Sequence, residues 1–280
     1  MIKDSLGDRM KENYENIERR YLTKRMPTLI RVDGKAFHSF TKGFGKPFDI
    51  ILVESMWDTA EYLCANVAGC KLAYMQSDEI TLLLTDYDKL ETKPWFDKNI
   101  TKMLSVSASM ATMAFNKAFT ENVRVFELSL PKKPDEEVRK LFERYNSRKG
   151  TAIFDSRVFN VPKEEVCNAF IWRQQDAMRN AVQMLGQSKF SQKQLQNKNC
   201  NDIQERLRQE WGIDFNDLPT HLKRGACAVK EYYDKDGVQR SRWVIDKDIP
   251  VFTQDREYIE KYLTFDEAEE RGTNEWQTGS

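Results

Sequence analysis

Apolar residues follow two periods along the amino-terminal half of the chain. Segments in which they recur every three or four positions are predicted helices, and three of these stand out: residues 6–21, 48–67 and 99–119. Short runs rich in apolar and β-branched residues, bounded by glycine, proline or polar turns, are predicted strands: residues 28–33, 71–75, 80–85 and 151–161. After the leading helix, the order is therefore strand, helix, strand, strand, helix, strand.

This order is that of a ferredoxin-like βαββαβ fold, which predicts the α+β class with an antiparallel sheet at its core. In that arrangement the third strand lies between the first and the second and runs opposite to both. The first strand ends at Asp33, and Asp78 lies at the tip of the hairpin that joins the second and third strands. The pattern therefore predicts that Asp33 and Asp78 are neighbours at one edge of the sheet.

The second half of the chain is mostly helical in its pattern. Its predicted helices are residues 164–185, 191–196 and 203–211, and a β-hairpin is predicted from residues 225–233 and 238–245. The polar and basic residues 132–149 are predicted to form an exposed connection. We expect a core of residues 1–160, a packed helical and hairpin extension of residues 161–254, and an acidic tail of residues 255–280, in which one helix is followed by disorder.

Composition narrows the class of protein. Hydrophobic residues make up 40% of the chain and charged residues 31%, with 44 basic and 44 acidic side chains, as in an ordinary globular protein. There is no apolar run of membrane-spanning length and no signal-peptide pattern, so we expect a cytoplasmic protein with no membrane partner. Five cysteines without paired spacing and only two histidines argue against a structural zinc site.

The two acidic turns suggest the chemistry. Two carboxylates held close together repel each other unless they are protonated or bridged by cations, and oxygen ligands favour Mg²⁺. Two such ions ~4 Å apart serve phosphoryl and nucleotidyl transfer. The carbonyl of Gly34 is a further candidate ligand, the backbone N–H groups of residues 35–38 are candidates to hold triphosphate oxygens, and Lys46 is a candidate phosphate contact.

Several motifs, in this order along the chain, resemble those of the tRNA-His guanylyltransferase family, including its bacterial and archaeal guanylyltransferase-like branch. They are Ile30-Arg31-Val32-Asp33-Gly34-Lys35-Ala36-Phe37-His38-Ser39-Phe40, Lys46-Pro47-Phe48-Asp49, Gln76-Ser77-Asp78-Glu79, Ser107-Ala108-Ser109, Phe154-Asp155-Ser156-Arg157-Val158 and Trp172-Arg173-Gln174-Gln175-Asp176. The resemblance covers approximately residues 5–230. It implies a palm-like core, addition of nucleotides in the 3′-to-5′ direction at the 5′ end of tRNA, and a homotetramer.

The resemblance also implies roles for individual residues. Asp33, the Gly34 carbonyl and Asp78 would bind two Mg²⁺ ions, and Glu79 would support the metal site without touching an ion. GTP, ATP and other nucleoside triphosphates would be substrates, with ATP activating a 5′ monophosphate where no triphosphate is present. The nucleotide-binding residues would be Asp33, Gly34, Lys35, Ala36, Phe37, His38, Lys46, Asp49, Ser77, Asp78 and Lys102.

One departure from the family pattern bears on the RNA substrate. Eukaryotic enzymes that add G to tRNA-His carry His-Ile-Asn-Asn-Leu-Tyr-Asn where this chain has residues 178–184, and only Asn180 is kept. This favours templated repair of 5′-truncated tRNA over addition of the G−1 nucleotide to tRNA-His. Two further functions stay open on the residues alone: a palm-domain cyclase, although the Gly-Gly-Asp/Glu-Glu-Phe hairpin is absent, and a non-catalytic tRNA-binding module.

Overall fold

A computed structural model describes residues 5–264 and contains one six-stranded antiparallel sheet in the order β4-β1-β3-β2-β5-β6. The strands are β1 Thr28–Gly34, β2 Cys70–Gln76, β3 Glu79–Leu84, β4 Phe154–Asn160, β5 Ala226–Lys235 and β6 Val238–Asp246. The longer helices are α3 Ile50–Asn66, α4 Ile100–Ser129, α5 Glu136–Arg148, α6 Lys163–Lys189 and α8 Cys200–Trp211. The short ones are α1 Ser5–Met10, α2 Phe37–Phe40, α7 Gln192–Leu195, α9 Thr220–Arg224 and α10 Glu257–Glu260.

The predicted α+β class and the central pairing of strands are confirmed. β3 lies between β1 and β2 and is antiparallel to both, with Val32 opposite Ile80 and Met75 also opposite Ile80. Within residues 5–264, no helix is long and apolar enough to cross a membrane.

Alternating residues of the central strands face two apolar layers, as the two-residue period of a strand requires. Ile30 and Val32 of β1 pack on one face with α3 and α4, whereas Leu29 packs on the other face with α6. The first face contains a cluster of buried phenylalanines, including Phe115 and Phe119 of α4. The sheet is thus covered by helices on both sides, and its polar edge at Asp33 is left open.

Aspartate and asparagine side chains fix where three of the long helices begin. Asp49, Asn99 and Asp135 each accept a hydrogen bond from the backbone N–H three residues ahead, at 3.0, 3.0 and 2.9 Å. Such N-caps satisfy a backbone donor that has no intrahelical acceptor. Asp135 therefore starts a helix, α5, in a segment where an exposed connection was predicted, and that prediction is wrong.

The structure differs from the sequence prediction at three other elements. The first helix is short: α1 ends at Met10, a π-helical turn spans Lys11–Glu15, and the apolar residues from Leu6 to Tyr21 are exposed. Helices of this length need packing for stability, and this one has little. Helix α4 continues ten residues beyond the predicted end at Phe119, and residues 37–40, for which no helix was predicted, form α2.

The carboxyl-terminal hairpin joins the core sheet through β5, which pairs with β2 from Leu72 to Met75. Beyond it, α10 and a 3₁₀ turn at Lys261–Leu263 bury Ile259 and Leu263 on the α6 side of the sheet. The disorder predicted for the end of the acidic tail falls on residues 265–280, outside the described residues. The boundaries of the three predicted regions remain a proposal.

Candidate metal and nucleotide site

The two acidic turns meet at the edge of the sheet. The backbone N–H of Gly34 donates a hydrogen bond of 3.0 Å to the carbonyl oxygen of Asp78, and Asp33 is directly opposite Glu79 in the ladder between β1 and β3. The structure therefore brings together the two aspartates for which a shared site was predicted.

A two-residue turn presents Asp78. Strand β2 ends at Gln76 and β3 begins at Glu79, which leaves Ser77 and Asp78 as the whole turn. Ser77 has φ of 49°, a left-handed conformation in which glycine is normally favoured, and its hydroxyl donates to Asp78 Oδ1 at 3.1 Å. Backbone strain of this kind is typical of functional turns.

The electrostatics of the site favour a bound cation. Burial, reinforced by the negative charge of Asp33, raises the pKa of the Asp78 carboxyl from its usual value of 3.8 to about 6. Asp33 contacts the guanidinium of Arg157 at 3.6 Å, and the same guanidinium lies 3.6 Å from Asp155 on the adjacent strand. Arg157 thus lies next to two carboxylates, those of Asp33 and Asp155, and no arginine pairs with Asp78 among the ion pairs of residues 5–264. A cation between Asp33 and Asp78 would relieve the repulsion between these two carboxylates.

The donor set fits Mg²⁺ held in part by water and by a substrate. Among residues 5–264 there is no group of three or more histidine, cysteine, aspartate or glutamate side chains suited to hold a metal ion. The protein ligands available here are the carboxylates of Asp33 and Asp78 and backbone carbonyls such as that of Gly34. Mg²⁺ is commonly bound by one or two carboxylates together with phosphate oxygens.

Glycine is required at position 34 for space, and the residue with left-handed backbone conformation is Ala36, two positions later. A Cβ on Gly34 would lie 2.3 Å from the ring of Phe37, whereas Ala36 is the residue with positive φ, at 55°. The N–H of Lys35 donates to the carbonyl of Ile153 at 2.8 Å, so it is not available to a phosphate. The N–H groups of residues 36–38 remain, at the first turn of α2, where helices have free donors.

Glu79 is directly opposite Asp33 in the sheet, and its side chain contacts helix α6. Its Oε1 accepts a 2.7 Å hydrogen bond from Arg173 of α6, which also contacts Asp176 at 3.0 Å. Both Glu79 and Arg173 are buried, and burial raises the pKa of the Glu79 carboxyl although Arg173 acts in the opposite direction. Glu79 therefore holds the base of the turn and is placed to support Asp78.

An open cavity of about 510 Å³ lies beside the acidic turns. Its walls include Ser77 and Asp78 on one side and the loop of residues 37–47 on the other, with His38 and Lys46 exposed to it. Its volume is within the range of small-molecule sites, and it combines an acidic corner with basic side chains. This is the arrangement that a metal-bound triphosphate needs.

Two of the predicted nucleotide residues, Phe37 and Asp49, also have structural roles. Phe37 is in the aromatic core and contacts Phe115 and Phe154, so its ring is not free to stack on a base. Asp49 lies on the wall of the cavity, but its Oδ2 accepts from Gly45 N–H at 2.7 Å and from the Tyr145 hydroxyl at 2.6 Å.

Helix α5 holds the nucleotide-facing loop with three side chains. Tyr145 binds Asp49, Arg144 donates to the carbonyl of Gly43 at 2.8 Å, and Arg148 donates to that of Ser39 at 3.2 Å. Sequence reasoning missed this contact because it treated α5 as a loop. The signal was present: Asp135 is a good N-cap, and Leu141 and Tyr145 lie one turn apart.

The structure does not bring Lys102 to the pair of aspartates within this chain. On α4, Thr112 contacts Phe154 at the Asp33 end of the sheet, and Lys102 lies ten residues earlier, ~15 Å along the helix. Nearby Lys98 donates to the carbonyl of Met26, just before β1 begins. The predicted contact of Lys102 with phosphate therefore remains a prediction without support from this chain's own geometry.

Trp172, in one of the family motifs, is half exposed next to the site. Its ring lies 5.4 Å from the guanidinium of Arg31 and 4.7 Å from that of Arg173. These cation–π contacts orient the two arginines that lie next to Glu79.

Comparison with known proteins places this geometry in context. The sequence profile of the tRNAHis guanylyltransferase family matches residues 7–162. The structure is similar to a bacterial tRNA(His) guanylyltransferase-like protein in complex with ATP, with a TM-score of 0.79 and 45% identity over 93% of this chain and 99% of that one. For a bacterial protein of the same description in complex with GTP, the TM-score is 0.74 and the identity 43%, over 94% and 100% of the two chains.

Two curated relatives extend the comparison. An uncharacterized protein of Acanthamoeba polyphaga mimivirus is 30% identical over 95% of this chain and 90% of its own length. The tRNA(His) guanylyltransferase of Debaryomyces hansenii is 28% identical over 76% of this chain and 77% of its own length.

Proposed function

The chain belongs to the tRNAHis guanylyltransferase family of nucleotidyltransferases, and from this premise we propose that it uses Mg²⁺ to add nucleotides in the 3′-to-5′ direction to the 5′ end of tRNA. The observation that carries the proposal is the hydrogen bond between Gly34 and Asp78, which holds two carboxylates beside a cavity of nucleotide size. The complexes of two similar bacterial proteins with ATP and with GTP support nucleoside triphosphates as substrates.

Each part of the site has a distinct role in this proposal. Asp33, Asp78 and the carbonyl of Gly34 would hold two Mg²⁺ ions, which when bound supply charge stabilisation for phosphate transfer and activation of the attacking hydroxyl. Ser77, His38 and the N–H groups of residues 36–38 orient the triphosphate, and Lys46 neutralises part of its charge. Glu79, through its buried ion pair with Arg173 of α6, holds the base of the turn that carries Asp78.

The acceptor would be the 5′ end of a tRNA, activated by ATP or already a triphosphate. The 3′-hydroxyl of the incoming nucleotide attacks the phosphate attached to the 5′ carbon of the tRNA. Pyrophosphate leaves if the end is a triphosphate, and AMP leaves if the end was activated by ATP. Templated repair of 5′-truncated tRNA is the preferred role because only Asn180 of the eukaryotic tRNA-His motif is kept in residues 178–184. In the structure, Asn180 and Met184 line a small cavity that also contains Ser77.

We also propose that the protein acts in the cytoplasm as a homotetramer. The exposed apolar side chains along residues 6–21, together with exposed Val125 and Leu128 on α4, are a candidate subunit interface. Light scattering after size-exclusion chromatography tests the assembly: a mass of four subunits supports it, and a monomer at micromolar concentration contradicts it.

Product sequencing tests the reaction. Purified protein is incubated with Mg²⁺, each nucleoside triphosphate in turn, and a 5′-truncated, triphosphorylated tRNA; full-length tRNA-His is assayed in parallel. Addition of the Watson–Crick nucleotide to the truncated tRNA is the expected result. Preferential addition of G to full-length tRNA-His would instead select the G−1 role, and no extension of either RNA would overturn the proposal.

A further inference from the structure

An open cleft of about 870 Å³ lies next to the nucleotide cavity, between the end of α6 and the segment around α7. Apart from His38, none of the residues that line it has a role in the metal and nucleotide chemistry proposed above. His38 and Gln187 line both spaces, so the two are continuous. A ligand held in the cleft would therefore reach the triphosphate end of the nucleotide cavity.

Four glutamines face this cleft. Gln183 and Gln187 lie one turn apart on α6, and Gln192 and Gln196 are likewise four positions apart across α7. Within residues 5–264, none of these four side-chain amides is hydrogen-bonded to another side chain or to the backbone. Each amide offers both donors and acceptors, which is what the hydrogen-bonding edge of a nucleobase requires.

The rest of the lining suits a nucleotide as well. Phe190 and Leu195 form an apolar floor, and Phe190 is buried with the guanidinium of Arg206 4.2 Å from its ring centroid. Lys193 supplies positive charge at the rim, and no carboxylate lines the cleft. The apolar floor suits the flat face of a base, the glutamine amides suit its hydrogen-bonding edge, and the lysine suits a phosphate. Together these are the features needed to bind an unpaired nucleotide.

We propose that this cleft binds an unpaired nucleotide of the RNA substrate, next to the 5′ end that reacts. The inference rests on the proposed function for the identity of the RNA. The continuity through His38 and Gln187 explains why the cleft and the nucleotide cavity share a wall: the two nucleotides that are to be joined, or that pair with each other, must lie side by side.

RNA binding tests the cleft without any requirement for turnover. The probe is a fluorescent tRNA transcript that lacks its first nucleotide and carries a 5′-triphosphate, measured by anisotropy with Mg²⁺ present. The double variant Gln192→Ala/Gln196→Ala loses the hydrogen bonds that these two amides would make to the base, so we expect Kd for this RNA to rise about tenfold or more. Gln192→Glu should weaken binding at least as much, and most strongly at low salt, because its carboxylate repels phosphate.

Matched controls separate a binding site from a general effect on folding. Gln209→Ala removes an exposed glutamine on α8 that lies outside the cleft, and its Kd for RNA should stay within twofold of wild type. Binding of Mg²⁺-GTP, measured by calorimetry, should be unchanged in the cleft variants, and their thermal unfolding should match that of wild type.

The outcomes for the cleft and for the proposed function are distinct. If wild type extends the RNA and both cleft variants bind it within twofold of wild type, the cleft proposal fails and the function stands. If wild type binds the RNA without extending it and the variants bind more weakly, the function fails and the cleft stands. Failure of wild type to bind this RNA overturns the cleft proposal.

Discussion

Gly34 and Asp78 are joined by a backbone hydrogen bond of 3.0 Å that runs between the two acidic turns. This bond fixes the spacing of the turns, because Gly34 ends β1, Asp78 immediately precedes β3, and these two strands are paired from Thr28 to Asp33. The carboxylate of Asp33 is then held next to that of Asp78 by the sheet itself, without a side-chain contact between them. A site of this kind keeps its geometry when either carboxylate is replaced.

The first prediction concerns those two carboxylates. Asp33→Ala and Asp78→Ala should each lower the rate of nucleotide addition by at least ~100-fold, because each removes a charged group that stabilises the transferring phosphate. Circular dichroism should show a folded protein in both cases. Asp217→Ala, at an exposed aspartate of the 3₁₀ turn Phe215–Asp217, is the control and should keep wild-type activity. Wild-type rates in Asp33→Ala or Asp78→Ala would remove that residue from the mechanism.

The second prediction follows from the raised pKa of Asp78, about 6 against a usual value of 3.8. The stability that this carboxyl contributes is complete below pH 3.8 and is lost as pH rises through 6, since the buried charge then opposes folding. Asp78→Asn should therefore raise the unfolding free energy of the metal-free protein at pH 7.5 by ~1–3 kcal/mol relative to wild type. Thermal melts in chelator should show this gain shrinking toward pH 4; an equal gain at both pH values would argue against the shift.

The third prediction concerns the buried pair of Glu79 and Arg173. Arg173→Met leaves the Glu79 carboxylate buried without its partner and should cost ~3–5 kcal/mol in the free energy of unfolding. Adding Glu79→Gln in the same chain should recover much of this loss, which urea titration of the single and double variants measures as a coupling energy.

Glu79→Gln alone separates support of the site from direct catalysis. As a residue that holds the turn of Asp78, it should lower activity by ~10–100-fold and leave the protein folded. If the stability changes of Arg173→Met and Glu79→Gln simply add in the double variant, the 2.7 Å contact between Arg173 and Glu79 contributes nothing to stability.

The fourth prediction tests the contact between Tyr145 and Asp49. Tyr145→Phe removes one of the three donors that hold the Asp49 carboxylate, so the loop of residues 37–47 should be held less firmly. We expect KM for the nucleoside triphosphate to rise ~3–10-fold, in line with a hydrogen bond of ~1 kcal/mol, while kcat changes little. Tyr62→Phe on α3 is a matched control. A lower kcat with an unchanged KM would mean that Tyr145 does not position this loop.

The fifth prediction concerns Lys46, which is exposed on the wall of the nucleotide cavity. Lys46→Ala should raise KM for the triphosphate by ~10–100-fold, since a charged contact to phosphate is worth ~1.5–3 kcal/mol. Raising the salt concentration should narrow the gap between wild type and variant. Lys117→Ala, at an exposed lysine of α4, serves as the reference; equal KM values for both variants would exclude Lys46 as a phosphate contact.

The hydrophobic pattern was enough to predict the central pairing of strands. Strands β1, β2 and β3 are short apolar runs with a two-residue turn between two of them, so their order and the meeting of Asp33 and Asp78 follow from local signals and the rules of sheet topology. The pattern failed where long-range packing decides. Nothing in residues 225–233 indicates that β5 pairs with β2, because that contact depends on the position of α6.

Two further failures have local causes. Residues 132–149 were assigned to a loop on the strength of their lysines and arginines, although the apolar side chains of α5 face the Phe119 layer at helical spacing. At Gly34, the sequence shows a glycine but not the reason for it: the ring of Phe37 occupies the space that a side chain would need, and Ala36 takes the left-handed conformation. A residue type indicates that something special happens nearby, but only coordinates show which atom requires it.

The late arrival of β5 has a consequence for synthesis of the protein. The hydroxyl of Tyr74 on β2 donates to the carbonyl of Arg224, next to β5, across a separation of 150 residues. At ~5–20 residues per second, a ribosome takes ~8–30 s to make the chain between them. The edge of strand β2 that later pairs with β5 is unpaired throughout that time. A newly made chain that already contains Asp33 and Asp78 can therefore still pair this edge with a strand of another chain.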